Sequence, residues 1–222
     1  VASGLFDEGW YLRQYPDVAA TGTEPLLHWL RAGWVKGYQP NLLFDCGWYA
    51  RQHSSASNWA GNPLSHYINA WSDVRAEPHP LFDSTWYLQT IGHDLGTART
   101  PLTHYLTKGR REGRSPHPLF DPSWYLDQFD PQPRSALQID ALEHFLTNRE
   151  HPGYDPHPLF DTEWYCTQNS LSLDVNPLIH YLTIGATQGL DPHPLFDSSF
   201  YVDEYRPSLR TYTNPLVEYV IR

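Results

Sequence analysis

Apolar residues along this chain fall into two recurring blocks separated by polar stretches. The first block, Leu-Phe-Asp, occurs at 5–7, 43–45, 81–83, 119–121, 159–161 and 195–197. Three residues after each Asp comes an aromatic pair: Trp10-Tyr11, Trp48-Tyr49, Trp86-Tyr87, Trp124-Tyr125, Trp164-Tyr165 and Phe200-Tyr201. The second block reads PLLHWL, PLSHYI, PLTHYL, ALEHFL, PLIHYL and PLVEYV, starting at 25, 63, 101, 141, 177 and 215, and places His28, His66, His104, His144 and His180. Successive Leu-Phe-Asp motifs are 38, 38, 38, 40 and 36 residues apart. Self-similarity at such a period marks a repeat architecture. The reading is one repeat domain over 1–222, with units at approximately 5–42, 43–80, 81–118, 119–158 and 159–194 and a partial unit at 195–222.

The register separates fixed from variable segments. From each second-block His to the next Leu-Phe-Asp aspartate the distance is always 17 residues, whereas from each aspartate to the His of its own repeat it is 21, 21, 21, 23 and 19. Length variation is confined between the blocks, where a surface loop is expected.

Each motif aspartate precedes an apolar stretch and can accept the free N–H groups of a first helical turn, with Phe6 and Tyr11 at staple positions around Asp7. In the second block Asn62, Thr100, Asn176 and Asn214 each precede a Pro suited to the first helical position. Gly33, Gly109 and Gly185 are expected to end that helix. Each repeat thus predicts two short helices of about ten residues, a variable loop, and a fixed crossover through Pro-His-Pro-Leu-Phe-Asp. No strand pattern competes. One hairpin of helices cannot bury its own aromatic face, so the fold class is all-α: tandem two-helix repeats in an α-solenoid-like array. Repeat four, with Ala141 for Pro, Pro131 and Pro133 in its loop and Arg149 at the glycine position, and repeat two, which carries Trp71 at that position, are expected to be the least regular.

Composition narrows the partners. Hydrophobic residues make up 40% and charged residues 18% of the 222, enough for a core, and 9 Trp, 15 Tyr and 9 Phe with no Met mean that aromatics fill it. A net charge of -10 argues against nucleic acid and anionic membrane surfaces as partners. No apolar run approaches the roughly 18 residues of a spanning helix, so no membrane insertion is expected, and the start VASGLFDEGW lacks signal-peptide regions. The absence of an initiator methionine suggests a fragment or processed segment. Cys46 and Cys166 fall at different repeat positions, which argues against a disulfide, and unpaired thiols make cytoplasmic the default location.

The pattern PHPLFDxxWYL followed by NPLxHYLxxGxxEGRxPHPLFD resembles a short helical repeat of bacterial glycosyltransferases and other surface-polysaccharide biosynthesis proteins, and is similar to repeats in some large secreted bacterial proteins. Repeat three, with Pro101-Leu102-Thr103-His104-Tyr105-Leu106 and Glu112-Gly113-Arg114-Ser115-Pro116, carries the resemblance best. In that family the repeats accompany a catalytic domain, and no nucleotide-sugar transferase domain matches here. The resemblance implies association with glycan biology.

Twelve histidines invite a metal reading, but one per repeat at the ~10 Å separation of packed helices is too far apart to share an ion. The second-block His and the crossover His79, His117, His157 and His193 are expected to be hydrogen-bonded structural residues, so no cofactor or metal is assigned. The aspartates are read as helix caps, the Trp-Tyr pairs as inter-repeat core. No Gly-x-Ser-x-Gly or phosphate-cradling loop occurs, and an enzyme is not expected. Side chains that depart from the repeat are the binding candidates. Trp34, Trp59 and Trp71 stand where other repeats have Arg, Gly, Ala or loop residues, and could stack on sugar or anchor a protein. Lys108, Arg110, Arg111 and Arg114 form a basic cluster able to meet carboxylates or phosphates, or else a solvated helix end. The leading reading is a non-catalytic repeat scaffold whose partners are the rest of its parent protein or a glycan-assembly component. The alternatives are a carbohydrate-binding module and part of a glycan-active enzyme, the last requiring two carboxylates within about 10 Å in a cleft.

Overall fold

The computed structural model of the chain describes residues 4–53, 61–74, 76–129, 140–148, 153–205 and 214–222. These residues are all-helical and group into two compact halves, Val1–Pro116 and His117–Arg222, divided at the crossover between repeats three and four. Trp59, Pro131, Pro133 and Arg149 lie outside the described residues.

The first-block helices are Glu8–Gln14, Cys46–Gln52, Ser84–Thr90, Pro122–Asp127, Thr162–Asn169 and Ser198–Tyr205. At six to eight residues they are shorter than the sequence suggested. Every one starts at its motif aspartate, whose Oδ1 accepts the backbone N–H three residues on, from Trp10 at 2.9 Å to Phe200 at 2.7 Å. The staple forms in each repeat, with Phe6 and Tyr11 centroids 5.1 Å apart and Phe120 and Tyr125 5.7 Å apart. Between the blocks of repeat one the expected loop is partly helical, over Pro16–Thr21.

Each first helix packs on the second-block helix of its own repeat. Asn62, Thr100, Asn176 and Asn214 cap these helices as expected, and Glu24 and Asp140 do so in repeats one and four. The second-block helical elements end at Gly33 and Gly109 and just before Gly185, as expected, but the chain does not reverse there. Gly33 and Gly109 lie in right-handed π-turns, Trp29–Gly33 and Tyr105–Gly109, and the backbone turns back four residues later at Gly37, Gly113 and Gly189, with φ of 80°, 68° and 72°. There the N–H after each of these glycines returns to the carbonyl of Gly33, Gly109 or Gly185, at 2.9 to 3.0 Å, a Schellman closure.

The crossover is a hydrogen-bonded turn. The carbonyls of His79, His117, His157 and His193 accept the N–H of the motif Phe, with Pro occupying the second turn position in each His-Pro-Leu-Phe. Each of these His also accepts the motif Leu N–H on Nδ1, at 3.0 to 3.1 Å, which leaves the ring's proton on Nε2. Asn41 stands at this place in the first crossover: its Oδ1 accepts the Leu43 N–H at 2.8 Å and its Nδ2 donates to the Leu5 carbonyl at 2.7 Å.

Successive repeats are tied in the same way each time. In the N-terminal half the amides of Asp7, Asp45 and Asp83 donate to the carbonyls of Pro40, Pro78 and Pro116 in the following crossover; in the C-terminal half Asp121 and Asp161 donate to Pro156 and Pro192. The residue before that Pro supplies a second cap, to the first N–H of the next helix: Gln39 to Cys46, Glu77 to Ser84, Asp155 to Thr162 and Asp191 to Ser198, at 2.6 to 2.9 Å. Where the helix instead begins with Pro122, which has no N–H, the position holds Ser115. These bonds account for the invariant 17-residue spacing.

The core is built from the motif Leu and Phe, the Tyr of each aromatic pair and the second-block Leu and aromatic; Tyr11, Tyr49, Tyr87, Tyr125 and Tyr165 are almost fully buried. Reading both members of the Trp-Tyr pair as core needs correction. Trp10 is buried, Trp48, Trp86 and Trp164 are half-buried, and Trp124 and Phe200 are 39% and 66% exposed. Neighbouring positions on a helix point about 100° apart, and the Tyr takes the inward direction. Cys46 and Cys166 are free thiols.

Candidate functional sites

The most regular polar feature is a tyrosine–histidine pair in which the tyrosine is buried. Tyr11, Tyr49, Tyr87, Tyr125 and Tyr165 share a hydrogen bond through Oη with Nδ1 of His28, His66, His104, His144 and His180, at 2.7 to 2.8 Å. Burial pushes each of these Tyr hydroxyls well above its ordinary value and keeps it protonated. Burial also lowers the His104 and His180 imidazoles, which favours the neutral ring. In repeat six Glu218 replaces the His; its carboxylate pairs with Arg222 at 3.3 Å, and Tyr201 Oη is a buried hydroxyl without a hydrogen-bond partner among the described residues.

This pair explains the glycines. A Cβ on Gly33 would lie 2.6 Å from Tyr11 Oη, and one on Gly109 or Gly185 would fall closer still to Tyr87 or Tyr165 Oη. Repeat two has no such glycine, and the expectation that its second helix is irregular is corrected: without a glycine the helix runs as continuous α-helix over Pro63–Val74, and the indole of Trp71 donates to the Arg99 carbonyl at 2.9 Å.

Trp34 is half-buried in the short turn Trp34–Lys36, so Trp34 and Trp71 sit on the second-block segments of different repeats, with Trp71 engaged by a backbone partner. In the basic cluster Arg114 Nε meets Glu112 Oε2 at 2.7 Å and Lys108 approaches the same carboxylate at 3.7 Å, which holds the Glu112 acid below its ordinary range. The Arg114 N–H closes the helix end on Gly109. Arg110 is half-buried and Arg111 exposed. The cluster is thus partly neutralised from within.

A feature the sequence did not announce is a cleft of about 470 Å³ in the C-terminal half, between the second-block helix of repeat four and the loop and second-block helix of repeat five. Phe145, Leu171, Leu173, Val175 and Ile184 make it largely apolar, and Asp174 is the carboxylate among its described lining residues. His180 in its wall is engaged by Tyr165, and burial raises the Cys166 thiol, which favours its protonated form. The only hint in sequence is the shortened spacing in repeat five, 19 residues where three other repeats have 21.

Among the described residues no group of three or more His, Cys, Asp or Glu is arranged to hold a metal ion, and no helix is long and apolar enough to cross a membrane. Comparison with protein-family models, curated proteins and solved structures gives no match.

Proposed function

We propose that the chain is a non-catalytic scaffold, a solenoid-like array of stacked helical repeats that mediates binding or assembly as part of a larger bacterial glycosyltransferase or surface-polysaccharide protein. The observation that carries this reading is the fate of the recurring polar groups. The five second-block histidines are bound to tyrosines, the six motif aspartates cap helices, and the crossover histidines accept backbone N–H groups. An active site needs acid, base or nucleophile poised toward a substrate, and these groups face one another or the backbone. The link to glycan assembly rests on the sequence resemblance. The partners are the rest of the parent protein or a component of that machinery, met through the variable segments between the blocks, and the location is the cytoplasm.

The test is a screen of bacterial polysaccharides and acidic oligosaccharides against the intact chain, repeated with Trp34, Trp59 and Trp71 changed to Ala. The scaffold reading expects no glycan binding by the folded chain. Saturable binding lost with those substitutions would make it a carbohydrate-binding module instead.

A further inference from the structure

We propose that the cleft between repeats four and five is a binding site for a small, uncharged, largely apolar molecule that carries a hydrogen-bond acceptor, its body lying against Phe145, Leu171, Val175 and Ile184 and its acceptor meeting the Nε2–H of His180. The proposal goes beyond the scaffold reading and does not depend on it.

Both walls of the cleft are held by contacts of their own. On one side Phe145 is buried, its ring 5.2 Å from Phe120 and 5.5 Å from Tyr125. On the other, the helix Thr162–Asn169 closes at Ser170, whose φ of 50° is uncommon for a residue with a side chain, and the Leu171 N–H returns to the Cys166 carbonyl at 3.1 Å. The Val175 N–H then donates to the Ser172 carbonyl at 3.1 Å, and Asn176 caps the helix Pro177–Thr183. A cleft of about 470 Å³ falls within the roughly 300–1,000 Å³ of small-molecule sites. Walls already ordered lose little affinity to rearrangement on binding.

The polar lining decides what the molecule carries. Thr162 Oγ1 donates to the Tyr154 carbonyl at 3.1 Å, Thr183 Oγ1 donates to the Ile179 carbonyl at 2.7 Å, and Asn176 Oδ1 accepts the Ile179 N–H at 3.0 Å, so these side chains are committed to the backbone. His180 differs from them. The protonated Tyr165 hydroxyl donates to its Nδ1 at 2.8 Å, which puts the imidazole proton on Nε2 and leaves a single N–H donor on a ring that lines the cleft. That donor calls for an acceptor on the ligand. An anionic acceptor finds no counter-charge: no Lys or Arg stands among the described lining residues, burial favours the neutral His180 ring, and the chain carries a net charge of -10. A cationic head would meet Asp174 at the exposed rim but offers the His180 Nε2–H no acceptor.

The experiment titrates the isotope-labelled full chain with 2-octanone and follows the methyl signals of Leu171, Val175 and Ile184 and the His180 Nε2–H by NMR. Saturable shifts confined to these groups are expected, with 2-hexanone about tenfold weaker for the two methylenes it lacks. Octanoate and octylammonium, which put a charged head on an apolar body of similar size, should each bind at least about tenfold more weakly than 2-octanone. Ile184→Trp, which places an indole in the cleft, and Leu173→Asp, which makes its rim polar, should each weaken 2-octanone at least about tenfold. Leu173 is 75% exposed, so folding does not need it, and this variant decides the matter if the first does not fold. Absence of saturable shifts at these groups overturns the proposal. So do shifts of equal size at the exposed Val35 and Leu195, binding unchanged by Leu173→Asp, or octanoate or octylammonium bound as tightly as 2-octanone.

Discussion

Tyr87 Oη and His104 Nδ1 lie 2.8 Å apart, directly against the Cα of Gly109, so that one hydroxyl both holds the histidine and forbids a side chain at the glycine. Tyr11, His28 and Gly33 repeat the arrangement, as do Tyr165, His180 and Gly185.

Gly109→Ala is expected to destabilise the chain by about 1–3 kcal/mol through overpacking against Tyr87 Oη. Gly113, which has φ of 68° and no atom within 4 Å of an added Cβ, is limited instead by its left-handed backbone. The distinction shows in denaturant unfolding: Tyr87→Phe should relieve part of the cost of Gly109→Ala and none of the cost of Gly113→Ala.

Glu77 is half-buried, and desolvation pushes its carboxyl from 4.5 up to about 8, against the opposing hydrogen bond from Ser84 N–H. A raised folded value means that folding favours the protonated acid. Its stabilising contribution is complete below about pH 4.5 and lost as pH rises to about 8. Gln39, at the same position of the preceding crossover, accepts the Cys46 N–H without titrating. Glu77→Gln is therefore expected to flatten the fall in stability over this window and to raise Tm at pH 8, as read by thermal unfolding across pH.

Desolvation holds the buried His79 imidazole well below its ordinary 6.5, outweighing the nearby Asp45 carboxylate. Protonation would also destroy the Nδ1 acceptor for the Leu81 N–H. A lowered folded value gives stability that is present above about pH 6.5 and lost as pH falls. His79→Asn places at this crossover the residue that Asn41 already supplies at the first, and should fold and soften this acid loss. His79→Ala should cost about 1–3 kcal/mol more than His79→Asn, by leaving the buried Leu81 N–H unsatisfied. Thermal unfolding of both variants between pH 4 and pH 7 checks the pair of expectations.

Removing a cap tests the aspartate assignment. Asp161→Ala should cost about 1 kcal/mol, seen as a lower unfolding midpoint, because the Trp164 N–H loses its carboxylate partner at 2.9 Å.

Local chemistry was readable from the residues where a single side chain decides it. Asp before an apolar run and Asn before Pro each identify a helix start without reference to the rest of the chain. The point where the chain reverses after the second helix was not readable in this way. Gly33 and Gly37 look equally able to stop a helix, and only the Tyr11 hydroxyl, contributed by the other helix of the hairpin, shows that Gly33 serves close approach and Gly37 the left-handed turn. The burial of the aromatic pair fails for a related reason: Trp and Tyr are both apolar, and the inward direction is selected by a histidine that lies 17 residues on in most repeats. The capping role of Glu77 and Asp155 was hidden because their partners, Ser84 and Thr162, are brought back by the crossover turn. The apolar cleft depends on packing between repeats, which no local pattern encodes.

The central claim is that the recurring polar residues hold the repeats together instead of doing chemistry. A double-mutant cycle of Tyr87→Phe and His104→Ala, measured by reversible denaturant unfolding of the full chain, tests it most directly. Each single substitution is expected to destabilise by about 1–3 kcal/mol, with a favourable Tyr87–His104 coupling of about 1 kcal/mol. Single variants as stable as the parent, with no coupling, would contradict it and leave the pair available for another role.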